Sequence, residues 1–497
     1  MRYPSSRHVA AVLGLAALLM PAFVWAGEVR MEGSCGPPPP PKPAERASAE
    51  TLPPLPLPAT PMRRTEKKKP PEPPVIITKI KWGDVRDWAT DENDVNNLLI
   101  WMKTKLKLNF TYDVKSVDEL EFDPQRMPAL YRTGHYEFTF TQQQRDKLRK
   151  YAINGGCIIF DACCGREDFT KSVVREMKII FPEAKLEPVA LDHPIYHCYY
   201  DIDSVQLSEG AGGGTIAQPL LSINIGCRAA VIFSPYDMSC GWDMHAHPDA
   251  KAIVPKDALR LGANLIAYST ATKTMGLSLA ESRVYVDADT TKWDKFRVAQ
   301  IVHEGQWCPD PAGLSTLLDT VAATTQLKIS FDRKDLKLSD PAISSYPFLY
   351  ITGHQDFTLS DEEVSVLRRY LLNGGFLLGD ACCGRASFDA AFRRELKRAL
   401  PEKAYELTAL AADHAVYRRP TPVTSVEYTP AAMMKMKTPT NAPLLEGVSI
   451  NGNTAVIYSP HDLGCGWELK PHPYGIGYES RSAITLGINA IVYAITH

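Results

Sequence analysis

The chain has 497 residues, of which 45% are hydrophobic and 23% charged; this supplies more than one core and excludes a disordered or fibrous protein. Its net charge of −2 provides no long-range field for nucleic acid or an anionic lipid surface, so neither is expected as a partner. The basic run Arg63-Arg64 and Lys67-Lys68-Lys69 lies among prolines and reads as solvated linker.

Arg2 and Arg7 precede an apolar stretch, Val9 to Met20, that is too short to span a bilayer comfortably. Val24-Trp25-Ala26 ends in the small residue a signal peptidase favours. Residues 1–26 are therefore expected to be a cleaved secretory signal, and the mature protein is expected in the periplasm, the cell envelope or the medium, without a membrane span. Residues 27–74, dominated by proline from residue 36, have little apolar area to bury and are expected to form an extended, disordered spacer. An oxidising destination favours disulfides among the eleven cysteines, and the odd count leaves at least one unpaired.

The folded part begins near Val75. The β-branched run from Val75 to Ile80 predicts a buried strand, and Val95, Leu98, Leu99 and Met102 give helical spacing to residues 91–106. Ala129 to Thr133 predicts a short strand. Thr141 caps a helix carrying Leu148 and Tyr151 that stops at Asn154-Gly155-Gly156. A buried strand, Cys157 to Phe160, ends at Asp161. A helix with Val173, Val174 and Met177 then runs to Pro182, followed by predicted strands at Leu186–Leu191 and Ala229–Phe233 and a closing helix at Asp257–Ser269.

The chain then repeats itself. Asn154-Gly155-Gly156, Asp161-Ala162-Cys163-Cys164-Gly165-Arg166 and Phe169 recur 219 residues later as Asn373-Gly374-Gly375, Asp380-Ala381-Cys382-Cys383-Gly384-Arg385 and Phe388. Tyr131, Thr133, Gly134 and His135 recur as Tyr350, Thr352, Gly353 and His354, and Asp192-His193 with Tyr196 as Asp413-His414 with Tyr417. Asp237, Cys240-Gly241-Trp242 and His247-Pro248 recur as Asp462, Cys465-Gly466-Trp467 and His472-Pro473. The expected domains are thus residues 75–275 and 283–497. In the second, Val298–Val302, Phe348–Ile351, Phe376–Gly379 and Ala455–Tyr458 are the predicted strands. Strands alternating with helices imply an α/β fold with a mainly parallel sheet covered on both faces.

The Tyr-x-Thr-Gly-His segment, the Asn-Gly-Gly helix end, the Asp-Ala-Cys-Cys-Gly strand end, Asp-His and Cys-Gly-Trp together resemble the domain-of-unknown-function family 4159. That family is similar in fold to ThuA-like and class I glutamine amidotransferase-like domains. The resemblance spans both copies and implies two flavodoxin-like three-layer α/β/α sandwiches; it names no reaction.

Sites in open α/β sheets form at the carboxyl ends of strands. Cys163, Cys164, Cys382 and Cys383 lie just past such ends, where a helix N-terminus favours thiolate, and His193 and His414 are the candidate bases. The resemblance makes this turn the counterpart of the amidotransferase nucleophile elbow, but Gly-x-Cys-x-Gly is not met and the His-x-Glu pair is absent, which argues against a glutaminase. Asp161, Arg166 and His135, with Asp380, Arg385 and His354, are expected to line the two clefts. Arg166 and Arg385 either bind an anion or pair with Asp161 and Asp380.

A disulfide from Cys163 or Cys164 to Cys240, and from Cys382 or Cys383 to Cys465, is the competing expectation for the cysteines. Convergence of Asp161, His193, Asp237, Cys240 and His247 on zinc is a third. No ligand spacing supports it, so no metal ligand is assigned, and no nucleotide motif points to another cofactor. Two functions follow as expectations: an exported envelope module binding a small molecule, glycan or envelope protein, and a thiol- or metal-dependent hydrolase acting at the turn of each copy.

Overall fold

The computed structural model describes residues 74–82, 86–106, 110–120, 123–245, 247, 249–279, 294–325, 329–469 and 472–497. The expected signal segment and nearly all of the proline-rich spacer lie outside the described residues. The first domain contains strands β1 (Val75–Lys81), β2 (Phe110–Ser116), β3 (Ala129–Gly134), β4 (Cys157–Ala162), β5 (Glu187–Pro188), β6 (Val205–Gln206), β7 (Thr215–Ile216), β8 (Leu221–Ile225) and β9 (Arg228–Ser234). Its helices are α1 (Asp94–Leu106), α2 (Gln142–Ile153), α3 (Glu167–Ile180), α4 (Ser239–Trp242) and α5 (Pro255–Leu279). The second contains β10 (Asp294–Ile301), β11 (Ile329–Leu336), β12 (Phe348–Gly353), β13 (Phe376–Ala381), β14 (Thr408–Ala409), β15 (Glu446–Ile450) and β16 (Asn453–Ser459). Its helices are α6 (Gly313–Thr324), α7 (Asp361–Leu372), α8 (Ala386–Ala399), α9 (Pro430–Lys435), α10 (Gly464–Trp467) and α11 (Ser480–Thr496).

Each domain has a seven-stranded sheet, in the order β2-β1-β3-β4-β9-β8-β5 and β11-β10-β12-β13-β16-β15-β14. The first five strands of each order are parallel; β8 pairs antiparallel with β9 and β5 antiparallel with β8, as β15 does with β16 and β14 with β15. The α/β class read from the alternation of elements therefore holds. The antiparallel edge was not foreseen, because its strands are short and half-polar. The strand expected at Leu186–Leu191 contracts to Glu187–Pro188: proline cannot donate to a ladder and is tolerated here only because β5 is an edge.

The buried strands present opposite faces to two cores. In the first domain, Ala129, Tyr131 and Ile159 pack with α1 and α5, whereas Leu130, Ile158 and Phe160 pack with α2 and α3. In the second, Phe348, Tyr350 and Leu378 meet α6 and α11, and Leu349 and Leu377 meet α7 and α8. This period of two makes continuous apolar runs the signature of the central strands.

The Asn-Gly-Gly signal has a steric cause. Asn154 and Asn373 are the C-caps of α2 and α7, and Gly155 and Gly374 follow with φ of 105° and 91°. The next glycine lies beneath an aromatic ring: a Cβ at Gly375 would be 2.3 Å from Tyr370 Cζ, and one at Gly156 2.1 Å from the Tyr151 ring. Gly375→Ala should therefore destabilise the second domain by about 1–3 kcal/mol through overpacking. Equilibrium urea unfolding reads this directly, and an unshifted midpoint would mean that the ring moves aside freely.

Beyond β10, His303 is held as the neutral imidazole. Its Nδ1 accepts from Gly305 N at 3.0 Å and its Nε2 lies 2.9 Å from the Thr352 carbonyl oxygen, to which it donates. Burial pulls its pKa down to about 4. A lowered base binds fewer protons folded than unfolded, so its contribution is complete above the unfolded pKa of roughly 6.5 and is lost as pH falls to about 4. The loss should reach up to about 3 kcal/mol. The stability–pH curve of His303→Asn should be flatter than wild type between these limits; superimposable curves would refute the assignment.

Candidate functional site: a thiol cluster at each strand-to-helix turn

β4 and β13 each end in Asp-Ala, and the chain then turns through Cys-Cys-Gly before α3 or α8 begins. The second cysteine of each pair has left-handed backbone, φ 54° at Cys164 and 55° at Cys383, and the following glycines have φ of 65° and 62°. A non-glycine residue in this region carries a cost of about 1–2 kcal/mol, and such strain persists where surrounding structure imposes it. Its effect here is to turn adjacent thiols toward one place: Cys382 and Cys383 Sγ are 3.7 Å apart.

Two buried carboxylates impose the turn. Asp462 Oδ2 accepts from Cys383 N at 2.6 Å and Oδ1 from Cys465 N at 3.0 Å, so one side chain fixes the backbone of two cysteines. Asp237 does the same for Cys164 N at 2.6 Å and Cys240 N at 3.0 Å. The strand-end aspartates hold the neighbouring short helix. Asp380 accepts from Leu463 N, Gly464 N and Tyr350 Oη at 2.8, 3.0 and 3.1 Å, and Asp161 from Met238 N, Ser239 N and Tyr131 Oη at 3.0, 2.9 and 2.9 Å. Burial and the neighbouring carboxylate push both strand-end acids well above the usual range.

In the second domain four sulfurs converge. Cys227 Sγ, from the two-residue loop between β8 and β9 of the first domain, is 3.3 Å from Cys382 Sγ and 3.4 Å from Cys465 Sγ. Cys465 Sγ is 3.8 Å from Cys382 Sγ and 3.9 Å from Cys383 Sγ. His354 Nε2 lies 3.1 Å from Cys382 Sγ, and His472 Nε2 3.1 Å from Cys383 Sγ. Asp310 completes the ring, with Oδ1 3.0 Å from Cys227 Sγ and Oδ2 3.2 Å from Cys382 Sγ. Met275 of α5 packs against the four thiols. Burial drives the thiols of Cys227, Cys382 and Cys465 well above their ordinary pKa. Burial opposes ionisation of Cys383 too, but thiol hydrogen bonds and His472 outweigh it and hold its pKa below the ordinary thiol value.

The first domain gathers a related set. One ligand atom each from Cys163, Cys164, Cys240 and Asp237 lies within 4.8 Å of the others. Asp91 Oδ2 is 3.5 Å from Cys163 Sγ and 3.8 Å from Cys240 Sγ, and His247 Nδ1 is 3.8 Å from Cys164 Sγ. Asp91 Oδ1 and both His245 ring nitrogens are buried without a hydrogen bond, although His245 Nδ1 stands 3.5 Å from that oxygen.

The expected disulfides are not formed. Among the described residues no disulfide is at bonding distance, and Cys465 stands about equally far from both elbow sulfurs, well beyond a bond of about 2.05 Å. Three or four sulfurs share each centre, so no single pair is singled out.

The histidines divide differently from the expectation. Nδ1 of His193 and of His414 accepts from the backbone N–H two residues on, at 3.1 and 3.2 Å, capping a short turn. His193 packs on Tyr268 at the domain junction, and His414 Nε2 is 2.9 Å from Thr454 Oγ1. The imidazoles in direct contact with the thiols are His354 and His472, with His247 in the first domain, while His193 lies within electrostatic reach of Cys383 and His472. His135 Nδ1 pairs with Asp87 at 2.9 Å, where His354 Nδ1 has Gln306 at 3.2 Å.

Arg385 turns away from Asp380: it donates to the Asp192 carbonyl at 2.6 Å and stands 3.6 Å from the Asp192 carboxylate, joining the domains. The backbone of Arg166 serves as the N-cap of α3. Sequence reasoning missed Cys227, which does not recur, and Asp91 and Asp310, which do. The 219-residue offset that pairs the elbows also pairs Trp88 with Trp307 and Asp91 with Asp310.

The fold and the site thus define a duplicated α/β domain with a buried thiol cluster at one strand-to-helix turn. Family comparison is specific: the domain of unknown function DUF4159 matches twice, at residues 76–270 and 297–495, and the chain belongs to that family. No curated protein matches the chain. Among the described residues no helix is long and apolar enough to cross a membrane.

Proposed function

We propose that this is an exported binding module of the cell envelope whose two domains each hold a soft metal ion at the strand-to-helix turn. One observation carries this reading: five of the six sulfur–sulfur separations of the second centre measure 3.3–3.9 Å, and the sixth, Cys227–Cys383, is within 4.8 Å. Four thiolates around a tetrahedral ion with bonds of about 2.3 Å stand roughly 3.8 Å apart. Iron–sulfur clusters bind their cysteines through several metal atoms and hold the ligand sulfurs farther apart. A single ion fits better, and thiolate with imidazole selects zinc or another thiophilic metal. Metal occupancy is also consistent with an exported destination, since coordinated thiolates are kept from forming disulfides.

Elemental analysis of the protein isolated after export tests this. About two equivalents of a thiophilic metal, with the clustered thiols resistant to alkylation until a chelator is added, is the expected result. Metal-free protein whose elbow cysteines are disulfide-bonded would sink the reading.

A second reading, a thiol hydrolase, is favoured by the 3.1 Å contact of Cys383 and His472 beside a cavity of about 290 Å3 lined by Cys383 and Arg385. It requires rapid alkylation of Cys383 alone in metal-free protein, and metal should then inhibit rather than accompany function.

A further inference from the structure

The two centres are not equivalent, and the difference lies in one loop. In the first domain the hairpin between β8 and β9 turns through Gly226-Cys227, with φ of 59° at Gly226. The same hairpin in the second domain, between β15 and β16, turns through Asn451-Gly452, with φ of 54° and 89°. Both are tight two-residue turns, but only the first carries a sulfur, which it delivers into the centre of the neighbouring domain. The second centre therefore receives four thiols, whereas the first has three, Cys163, Cys164 and Cys240, grouped with Asp237, whose two oxygens already accept from Cys164 N, Cys240 N and Ser239 Oγ.

Their surroundings differ to match. Cys382 and Cys383 are both buried, and Arg385, itself buried, is tied to Asp192 of the first domain. Cys164, the counterpart of Cys383, is only partly buried. Beside its cluster stand a buried carboxylate oxygen, Asp91 Oδ1, and both nitrogens of His245, none of which makes a hydrogen bond. Polar atoms buried in that condition are costly, and a ligand or ordered solvent would satisfy them. Structural metal sites are closed by four protein ligands, and reactive ones keep a position for water or substrate.

We propose that the second centre is a closed four-sulfur clasp joining the two domains, and that the first is an open three-sulfur centre whose ion takes an exogenous water or small soft anion beside Asp91 and His245. This rests on the metal reading above. The ion in the second centre is bound by residues from both domains and exchanges slowly. The ion in the first exchanges quickly and is where an incoming ligand binds.

The test uses the folded chain loaded with zinc or cobalt(II) and a chromophoric chelator to follow release. Two equivalents leaving in separate phases, with cyanide or azide perturbing the cobalt spectrum of the fast phase alone, is expected. Cys227→Gly, which places at the loop the residue its own counterpart carries, should accelerate the slow phase by at least about 10–100-fold, the cost of losing even an outer-shell partner. Cys163→Ala should abolish the fast phase and leave the slow one. Two equivalents released at one rate, or a slow phase indifferent to Cys227→Gly, would overturn the division into closed and open centres while leaving metal binding intact. Failure to bind any ion would overturn the metal reading and this one with it. The wild-type kinetics decide the matter even if a variant fails to fold.

Discussion

Chelation of the second centre should lower the melting temperature of its domain by roughly 8–16 °C. A site that binds only the folded state stabilises it by about 4.1 kcal/mol at a free metal concentration 1,000 times Kd. For a domain of this size each kcal/mol corresponds to about 2–4 °C. The effect has a structural route. Without an ion, Cys227, Cys382 and Cys465 are buried thiols with raised pKa, packed with Cys383, whose non-sulfur side-chain partners among the described residues are imidazoles such as His472 at 3.1 Å. With one, the four sulfurs bond a common partner that joins β13, α10 and the first domain's hairpin. Scanning calorimetry of chelator-treated and zinc-replete protein measures the shift. A transition that stays in place would show that the cluster takes no ion.

Asp380→Ala should be the most damaging single substitution near the site, at about 3–5 kcal/mol. It removes the acceptor of three buried donors, Leu463 N, Gly464 N and Tyr350 Oη, and each orphaned group costs about 1–3 kcal/mol. The damage should reach the metal, because the two amides begin the helix that carries Cys465. Asp380→Asn keeps one acceptor oxygen and lets the tyrosine hydroxyl turn to accept, so it should cost less than half as much. Urea midpoints order the three proteins, and zinc affinity should fall in the same order. If the two variants are equally unstable, the hydrogen-bond account is wrong and charge is what matters at this position.

The fold was legible where local chemistry repeats. Capping boxes at Thr141 and Ser360, glycines past the ends of α2 and α7, and apolar central strands all lie in short windows of sequence. The elbow cysteines stood out because their whole environment is duplicated. What remained hidden was what distant segments bring together. Cys227 is one cysteine on a hairpin tip, and only the packing of one domain on the other makes it a neighbour of Cys382. Asp91 reads from spacing as the start of a helix, yet α1 begins at Asp94 and leaves the Asp91 side chain buried against Cys163. The Asp-His repeat has a local cause as well: His193 and His414 each cap a turn, a structural need that leaves the same trace in sequence as a functional one.

The contact between the domains is heterologous: a hairpin tip and the Asp192 turn of one copy meet the elbow of the next, and no two-fold axis relates the two sides. Contacts of this kind carry no inherent limit on number, and identical units joined through them grow as rings or open fibres. Here the growing end is blunted. The second copy offers Gly452 where the first offers Cys227, and its Asp413 stays in solvent near Arg418, where Asp192 is held against Arg385. The second copy thus lacks the sulfur, and leaves unengaged the acid, through which the first meets its neighbour, a difference of the kind that separates outer from inner repeats in a solenoid.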